Sequence, residues 1–371
     1  MSASAEIQLI AVIVSVSCAL PGVFLVMRKM SMMSDSITHT ILLGIVIAFF
    51  VTHDLRSPIL IVGAALMGVI TVWLTEILVK SRLVSEDSAI GIVFPLLFSI
   101  AIILITRYAG TVHLDTDSVL LGELAFAPFE RMIVRGVDIG AKAIYTSGVL
   151  LLINLILLIV FYKECKIATF DPMLAAVLGF SPTLIHYGLM SVVSLTAVGA
   201  FEAVGSVLVV AFMIGPPVTA YLLTDNLSLM LLFSAGFAAL SGVLGYQLAT
   251  FLDVSIAGSM ALTTGLLFAI VFVFAPHRGL ISALLRKRKQ RREFAGYTLL
   301  THIWHHEGKP EEREENAVAT IGKHLRWDEK KLRRTLTPLK ANGKVAVVDG
   351  VIKITSKGRE DYRQFVEQLL S

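Results

Sequence analysis

Cysteine is scarce in this sequence, which has only two in 371 residues, Cys18 and Cys165. Two isolated thiols exclude a disulfide framework and a thiolate metal site. The GxxxxGK[ST] pattern of a phosphate-binding loop is also absent, so we expect no enzyme activity, and any ATP-driven step requires a separate subunit. No basic segment precedes the first apolar run, which is therefore predicted to be a retained helix and not a signal peptide.

Apolar residues, by contrast, are abundant. They make up 56% of the chain, and the mean hydropathy is +0.78. A soluble globular domain does not have this balance, so the class is integral membrane protein. Residues 286–371 differ from the rest, with 20 Lys/Arg against 12 Asp/Glu, whereas residues 1–285 hold 12 against 16. We therefore predict a neutral-to-acidic membrane body followed by a basic soluble tail.

Several apolar runs approach the length of about 20 residues that crosses a bilayer. They are 7–27, 37–52, 58–79, 88–106, 140–162, 184–201, 203–223, 228–250 and 255–275. The second run is short and the sixth and seventh are nearly continuous, so eight or nine transmembrane helices are predicted. Pro216 and Pro217 should break or kink the seventh run. Lys and Arg cluster most strongly at 286–292, which by the positive-inside rule places the C-terminus in the cytoplasm.

A carboxylate and an imidazole stand at the start of the second run. Asp35 and His39 are four residues apart, which puts both side chains on one face of a helix. Oxygen and imidazole nitrogen together suit Mn²⁺, Fe²⁺ or Zn²⁺, and ionisable groups inside a bundle are costly unless they are functional. The alternative is a helix start at the membrane interface, with Asp35 as the cap and His39 reaching towards water.

Two further places carry candidate ligands. Glu202 lies in the apolar stretch AVGAFEAVGS, where a carboxylate needs a partner or a wet cavity. It is either a secondary ion contact or, as we favour, a structural hydrogen-bond acceptor. His113, Asp115 and Asp117 alternate in HLDTD and would share one side of an extended segment. They form either a metal relay at the mouth of the pathway or, as we favour, a solvated loop.

A short isolated helix is predicted in the stretch FDPMLAAVLGF, residues 170–180. Asp171 suits the N-cap, Pro172 the first helical position and Gly179 the C-terminal stop. The preceding Lys163 and Lys166 place this helix in a cytoplasmic loop.

The tail combines helices with a hairpin. A short helix at 317–324 is followed by a basic helix that begins after Asp328, and an Asp-Gly turn joins two strands in VAVVDGVIKIT. This order predicts a winged helix-turn-helix, whose basic helix could dock on DNA phosphates. A regulatory or docking role is favoured, because a membrane-tethered domain is poorly placed to search a chromosome. The histidines of HIWHHEG (His302, His305 and His306) are either a metal sensor or, as favoured, a solvated face.

Six stretches resemble, in order, the permease subunits of the manganese/zinc/iron ABC importers. They are RKMSMMSDSITHTILLG (28–44), EDSAIGIVF (86–94), VHLDTDSVLLGEL (112–124), FDPMLAAVLGF (170–180), FEAVGSVLVVAFMIGPPVTAYLLTD (201–225) and FAPHRGLIS (274–282). Ser34 and Leu43 stand where the family pattern has glycine and proline. The tail resembles the winged-helix part of repressors of the diphtheria toxin repressor group.

The resemblance implies an all-α polytopic bundle like that of type II ABC importer permeases, in the bacterial inner membrane. The metal-contacting aspartate and histidine of the family fall on Asp35 and His39, and its ATPase-coupling helix falls on 171–180, including Asp171, Pro172, Met173, Leu174 and Gly179. The implied partners are an ATP-binding subunit, a second permease copy or paralogue, an extracytoplasmic metal-binding protein and membrane lipid. Nucleic acid is a less favoured partner of the tail.

We therefore predict a transmembrane permease domain at 1–280, a basic linker at 281–295 and a winged-helix-like cytoplasmic domain at 296–371. The function would be ATP-driven import of a divalent transition metal, manganese before iron or zinc, with no permanently bound cofactor. One alternative is a membrane-tethered, metal-responsive transcription regulator. Another is an ion-coupled carrier without an ATPase.

Overall fold

A computed structural model of the chain describes residues 2–54, 57–108, 124–134 and 137–370. The side chains of residues 134, 137, 202 and 368–370 are not described. The chain divides into two compact units, Met1–Gly279 and Leu280–Ser371.

Within the described residues, the first unit has eight helices that are long and apolar enough to cross a membrane. These are α1 (Ala3–Met27), α2 (Ser31–Thr52), α3 (Ile59–Lys80), α4 (Glu86–Tyr108), α5 (Lys142–Val160), α8 (Pro182–Val204), α10 (Leu227–Leu252) and α11 (Ile256–Phe274). Three shorter helices are α6 (Tyr162–Phe170), α7 (Pro172–Val177) and α9 (Ser206–Tyr221). The buried core is formed mainly where α1, α2, α8 and α9 meet.

The seventh predicted run, 203–223, forms α9, which has 16 residues. At 1.5 Å per residue it is about 24 Å long, less than the hydrocarbon thickness of about 30 Å. Of the break or kink predicted at Pro216 and Pro217, the break is wrong, because α9 continues through both prolines to Tyr221. The kink stays a prediction. The chain breaks instead at Gly205, whose φ of 78° separates α8 from α9.

The all-α prediction misses a β-hairpin between α4 and α5. Strands β1 (Arg131–Val134) and β2 (Val137–Ala141) pair antiparallel, with Ile133 opposite Asp138. The first unit is therefore mostly helical. Four- and five-residue strands are too short to stand out in a sequence scanned for runs that cross a bilayer.

Some helices of the first unit meet backbone to backbone at glycine. A Cβ atom placed on Gly22 of α1 would lie 2.0 Å from the carbonyl oxygen of Met213 in α9. A Cβ atom on Gly44 of α2 would lie 2.3 Å from the carbonyl oxygen of Gly63 in α3. Small residues allow such close approach of helices in lipid, where van der Waals packing drives association.

We expect Gly22→Ala to destabilise the protein by about 1–3 kcal/mol, the usual cost of overpacking, although alanine favours the helix itself. The measurement is the thermal unfolding midpoint of the purified chain in detergent. Gly91→Ala in α4 is the matched control, because a Cβ there meets no described atom within 4 Å. Equal midpoints for the two variants would show that α1 and α9 are not held at this distance.

In its described residues, 280–370, the second unit contains five helices and one hairpin. They are α12 (Leu280–His306), α13 (Glu312–Glu315), α14 (Ile321–His324), α15 (Glu329–Ala341), β3 (Val345–Val348), β4 (Val351–Ile354) and α16 (Ser356–Leu370). The segment predicted as a linker, 281–295, lies within α12. The core of the second unit includes Leu299, Leu300 and Ile303 of α12, which pack with Ile321 and Ile352.

Two local signals in the tail are confirmed, whereas the helix predicted at 317–324 forms only at Ile321–His324. Asp328 caps α15, since its Oδ1 accepts a hydrogen bond from the backbone N–H of Lys331 at 3.1 Å. Asp349 and Gly350 join β3 to β4 with φ values of 51° and 77°, the positive values that a tight hairpin turn requires.

Candidate metal site

The predicted ligand pair lies in the first turns of α2. His39 Nε2 is 3.5 Å from Asp35 Oδ1, and the two side chains are 22% and 39% exposed. The ring of His39 packs against Phe94 and Phe98 of α4, with ring centroids 5.0 and 5.9 Å apart. The helical spacing of four residues brings the two donors together, and the aromatic rings of α4 fix one side of the imidazole.

The alternative in which Asp35 caps the helix is wrong. Helix α2 begins at Ser31, and Met30 occupies the N-cap position without a side-chain hydrogen bond. Asp35 is therefore inside the helix, where its carboxylate is free of a capping role. In the part of the chain that the structure describes, no group of three His, Cys, Asp or Glu ligands forms around this pair.

The structure does not describe how the other predicted ligands stand relative to the pair. Glu202 lies in the last turn of α8, three residues before the Gly205 break, and its side chain is not among those described. His113, Asp115 and Asp117 lie outside the described residues. Their roles stay predictions.

The predicted isolated helix is present as α7, Pro172–Val177. Asp171 Oδ1 accepts a hydrogen bond from the backbone N–H of Leu174 at 2.9 Å, and Gly179 has a φ of 88°. The backbone N–H of Phe180 donates to the carbonyl of Ala175 at 3.0 Å, which closes the C-terminal end.

The surface of α7 is apolar and exposed. Met173 and Val177 are 81% and 83% exposed, and Leu174 and Leu178 are also exposed. Three large apolar side chains of α7 and that of its C-cap Leu178 therefore form an exposed apolar patch.

A polar cluster that the sequence analysis missed lies at the end of α1. Glu76 of α3 is its centre, because Tyr187 and Lys80 donate to its Oε2 at 2.8 and 2.9 Å. His186 Nε2 lies 2.8 Å from Glu76 Oε1, and the other ring nitrogen of His186 is 3.3 Å from Arg28 Nη1. The sequence signal was available, since Glu76 is a carboxylate in the apolar run 58–79.

Arg28 also connects this cluster to the segment before α7. Its Nε donates to Thr169 Oγ1 at 3.1 Å, and Thr169 stands two residues before Asp171. Burial lowers the pKa of Arg28 below its usual value, but a guanidinium remains charged at physiological pH. The cluster thus joins α1, α3 and α8 to the chain that leads into α7.

The β1–β2 hairpin lies at the opposite end of α1 from this cluster. Glu6 is almost fully buried and accepts two hydrogen bonds from Arg131 Nη1, at 2.9 and 3.1 Å. Hydrogen bonding to Arg131 lowers the pKa of Asp138 in the same hairpin. Since α1 has 25 residues, about 37 Å of helix separates the hairpin end from the α7 end.

The comparison with known proteins decides the family. A family model described as the ABC 3 transport family matches residues 4–275, nearly the whole first unit. The chain belongs to this family. With eight apolar helices it is a multi-pass protein of the inner membrane, in agreement with the predicted class.

Individual relatives agree with this family. The zinc transport system membrane protein TroD of Treponema pallidum is 44% identical over 353 residues, which covers 95% of this chain and 96% of TroD. The manganese transport system membrane protein MntD of Bacillus subtilis is 48% identical over 296 residues, covering 80% of this chain and 100% of MntD.

A solved structure shares the fold. It is PsaBC from Streptococcus pneumoniae in complex with Fab, with a TM-score of 0.62 and 27% identity, covering 75% of this chain and 94% of that chain. The predicted polytopic permease fold of the first unit is therefore confirmed, as a mostly helical and not an all-α structure.

Proposed function

We propose that this chain is the membrane permease subunit of an ATP-driven importer of a divalent transition metal. Membership in the ABC 3 transport family carries the proposal, and the names of the relatives support it, since TroD and MntD are named for zinc and manganese transport. The predicted regulator is the less supported alternative, because the family match covers the membrane unit and not the tail.

Asp35 and His39 serve as transient ligands in the pathway. Their donors are 3.5 Å apart and partly exposed, so an ion can reach them without opening the helix packing. A pair supplies only two ligands, and a transported ion must also leave, which requires weak binding. A second permease copy or a paralogue that presents its own pair would complete four protein ligands.

Manganese is the favoured cargo, followed by iron and zinc. A carboxylate and an imidazole hold all three metals, and the absence of sulfur at the pair favours the harder ions. The affinity order of divalent metals by itself favours zinc, so delivery by an extracytoplasmic binding protein would set the choice.

Helix α7 couples the permease to a separate ATP-binding subunit. Its exposed apolar residues supply the docking surface, and the Arg28–Thr169 contact ties the chain before α7 to the transmembrane helices. A push on α7 is therefore transmitted to α1, α3 and α8 through the Glu76 cluster.

The second unit acts as a cytoplasmic regulatory or docking domain of winged-helix type. The order of α14, the basic helix α15, and the β3–β4 hairpin supports this proposal. The strong basic cluster at 286–292 supports the cytoplasmic side.

Removal of residues 280–371 separates the permease from the regulator. We expect the shortened protein to retain ATP-dependent uptake of manganese at a reduced rate, because the boundary of the first unit lies at Gly279. Uptake into vesicles that contain the ATP-binding subunit is the measurement. A shortened protein that assembles normally, moves no metal and abolishes a metal-dependent change in transcription would favour the regulator.

A further inference from the structure

The second unit brings histidines and a carboxylate together. His302 and His306 stand one turn apart on α12, so their side chains share a face. Glu315, the last residue of α13, lies beside them, and one ligand atom from each of the three falls within 4.8 Å of the others. We propose that His302, His306 and Glu315 bind a divalent transition metal ion, and that His324 positions the carboxylate.

The distances suit this role. Two ligands of a tetrahedral zinc ion, each about 2.0–2.1 Å from the metal, lie about 3.3 Å apart. His302 Nε2 is 3.6 Å from Glu315 Oε2, so this pair needs little rearrangement. His324 Nδ1 lies 3.1 Å from the same Oε2, the kind of outer contact that orients a ligating carboxylate.

An ordinary hydrogen-bond cluster explains only part of the arrangement. It accounts for the contact between His324 and Glu315 and for the 3.2 Å distance from His302 Nε2 to the Glu315 carbonyl. It does not account for His306 Nδ1, which is buried and has no hydrogen-bond partner among the described residues. Buried polar atoms are normally satisfied, and a bound ion would satisfy this one.

Contacts between distant residues of the second unit, and not only proximity in the sequence, hold the proposed ligands in place. Asn316, which follows Glu315, donates from Nδ2 to the carbonyl of Ile303 at 3.3 Å. Its own carbonyl accepts from the backbone N–H of Ile352 in β4 at 2.9 Å. These contacts hold the backbone next to Glu315 against α12 and β4, and a bound ion would tie α12 to the α13–α14 segment.

The donor set defines the class of ion. Two imidazoles and one carboxylate suit Zn²⁺, Fe²⁺, Mn²⁺ and their neighbours, and both cysteines lie in the first unit. Binding itself does not depend on the proposed transport function. A response of the tail to the imported ion does rest on that function.

The test is equilibrium dialysis of the purified full-length chain against Zn²⁺, with Mn²⁺ in parallel. All variants carry Asp35→Asn and His39→Gln, which removes the transport pair. We expect His306→Gln and Glu315→Gln each to weaken binding by more than about 10-fold, the loss typical even for an outer partner of a metal ligand. The matched control is His305→Gln, since His305 is exposed and neighbours Lys309 on the same helix.

A second readout guards against loss of folding. Zn²⁺ should raise the unfolding temperature of the His305→Gln control and of the chain with native His306. It should not raise that of His306→Gln. Without metal, all three chains should unfold at the same temperature. His324→Gln should weaken binding and keep the stoichiometry. Equal affinity in the His305→Gln and His306→Gln variants would mean surface binding only and would overturn the proposal. Loss of uptake in Asp35 and His39 variants with normal tail binding separates the two sites.

Discussion

Asp35→Asn and His39→Gln are each expected to lower ATP-dependent manganese uptake by more than about 100-fold. Removal of an outer partner of a metal ligand already costs about 10- to 100-fold, and loss of a ligand itself should cost at least as much. Both substitutions keep the size of the side chain, and the packing of the residue 39 side chain against Phe94 and Phe98 should persist. The measurement is the initial rate of uptake into vesicles that contain the ATP-binding subunit and the extracytoplasmic binding protein.

The matched control lies at the other end of α2. His53 is exposed and adopts a φ of 51° at the C-cap, a conformation that asparagine tolerates, so His53→Asn should leave uptake unchanged. Unfolding temperatures of all three variants should stay near that of the native chain. Uptake at the native rate in both Asp35→Asn and His39→Gln would refute the assignment of the ligands.

Val177→Asp is expected to abolish both uptake and copurification of the ATP-binding subunit. Val177 is 83% exposed on α7, so a charge there costs the isolated chain little, whereas in a docked interface it would be buried without a partner. Met173→Asp on the same helix should act in the same way. The measurement is the amount of ATP-binding subunit retained by the tagged permease, together with the rate of uptake.

Ile133→Asp is the matched control for α7. Ile133 is 69% exposed on the hairpin, at the end of α1 opposite the α7 segment. The same change there should leave the ATP-binding subunit bound. Equal loss of the subunit from the Val177 and Ile133 variants would show that α7 is not the docking element.

Features set by neighbours in the sequence were predicted well. Asp35 and His39 meet because four residues make one helical turn, and α7 lies where Asp171, Pro172 and Gly179 indicated. The transmembrane helices follow from runs of apolar residues, and the Asp-Gly turn gave the tail hairpin. In each case the physical cause acts within a few residues, so the sequence contains it.

Features set by distant residues were missed. Arg28 and His186 are 158 positions apart, and the run that contains Glu76 gave no indication of its partners. The error at Pro216 and Pro217 has the same origin. Pro217 has no N–H to donate to the Met213 carbonyl, yet α9 continues, and this carbonyl lies against Gly22 of a different helix, α1.

The glycine contacts limit how the bundle deforms. No side chain separates α1 from α9 at Gly22, or α2 from α3 at Gly44. Neither pair of helices can therefore shift relative to its partner through a change of side-chain rotamer at these contacts. Each pair must travel as one rigid block when the transporter cycles. Rotation between blocks is then left to hinges, and Gly205, a single glycine that separates two helices, is suited to be such a pivot.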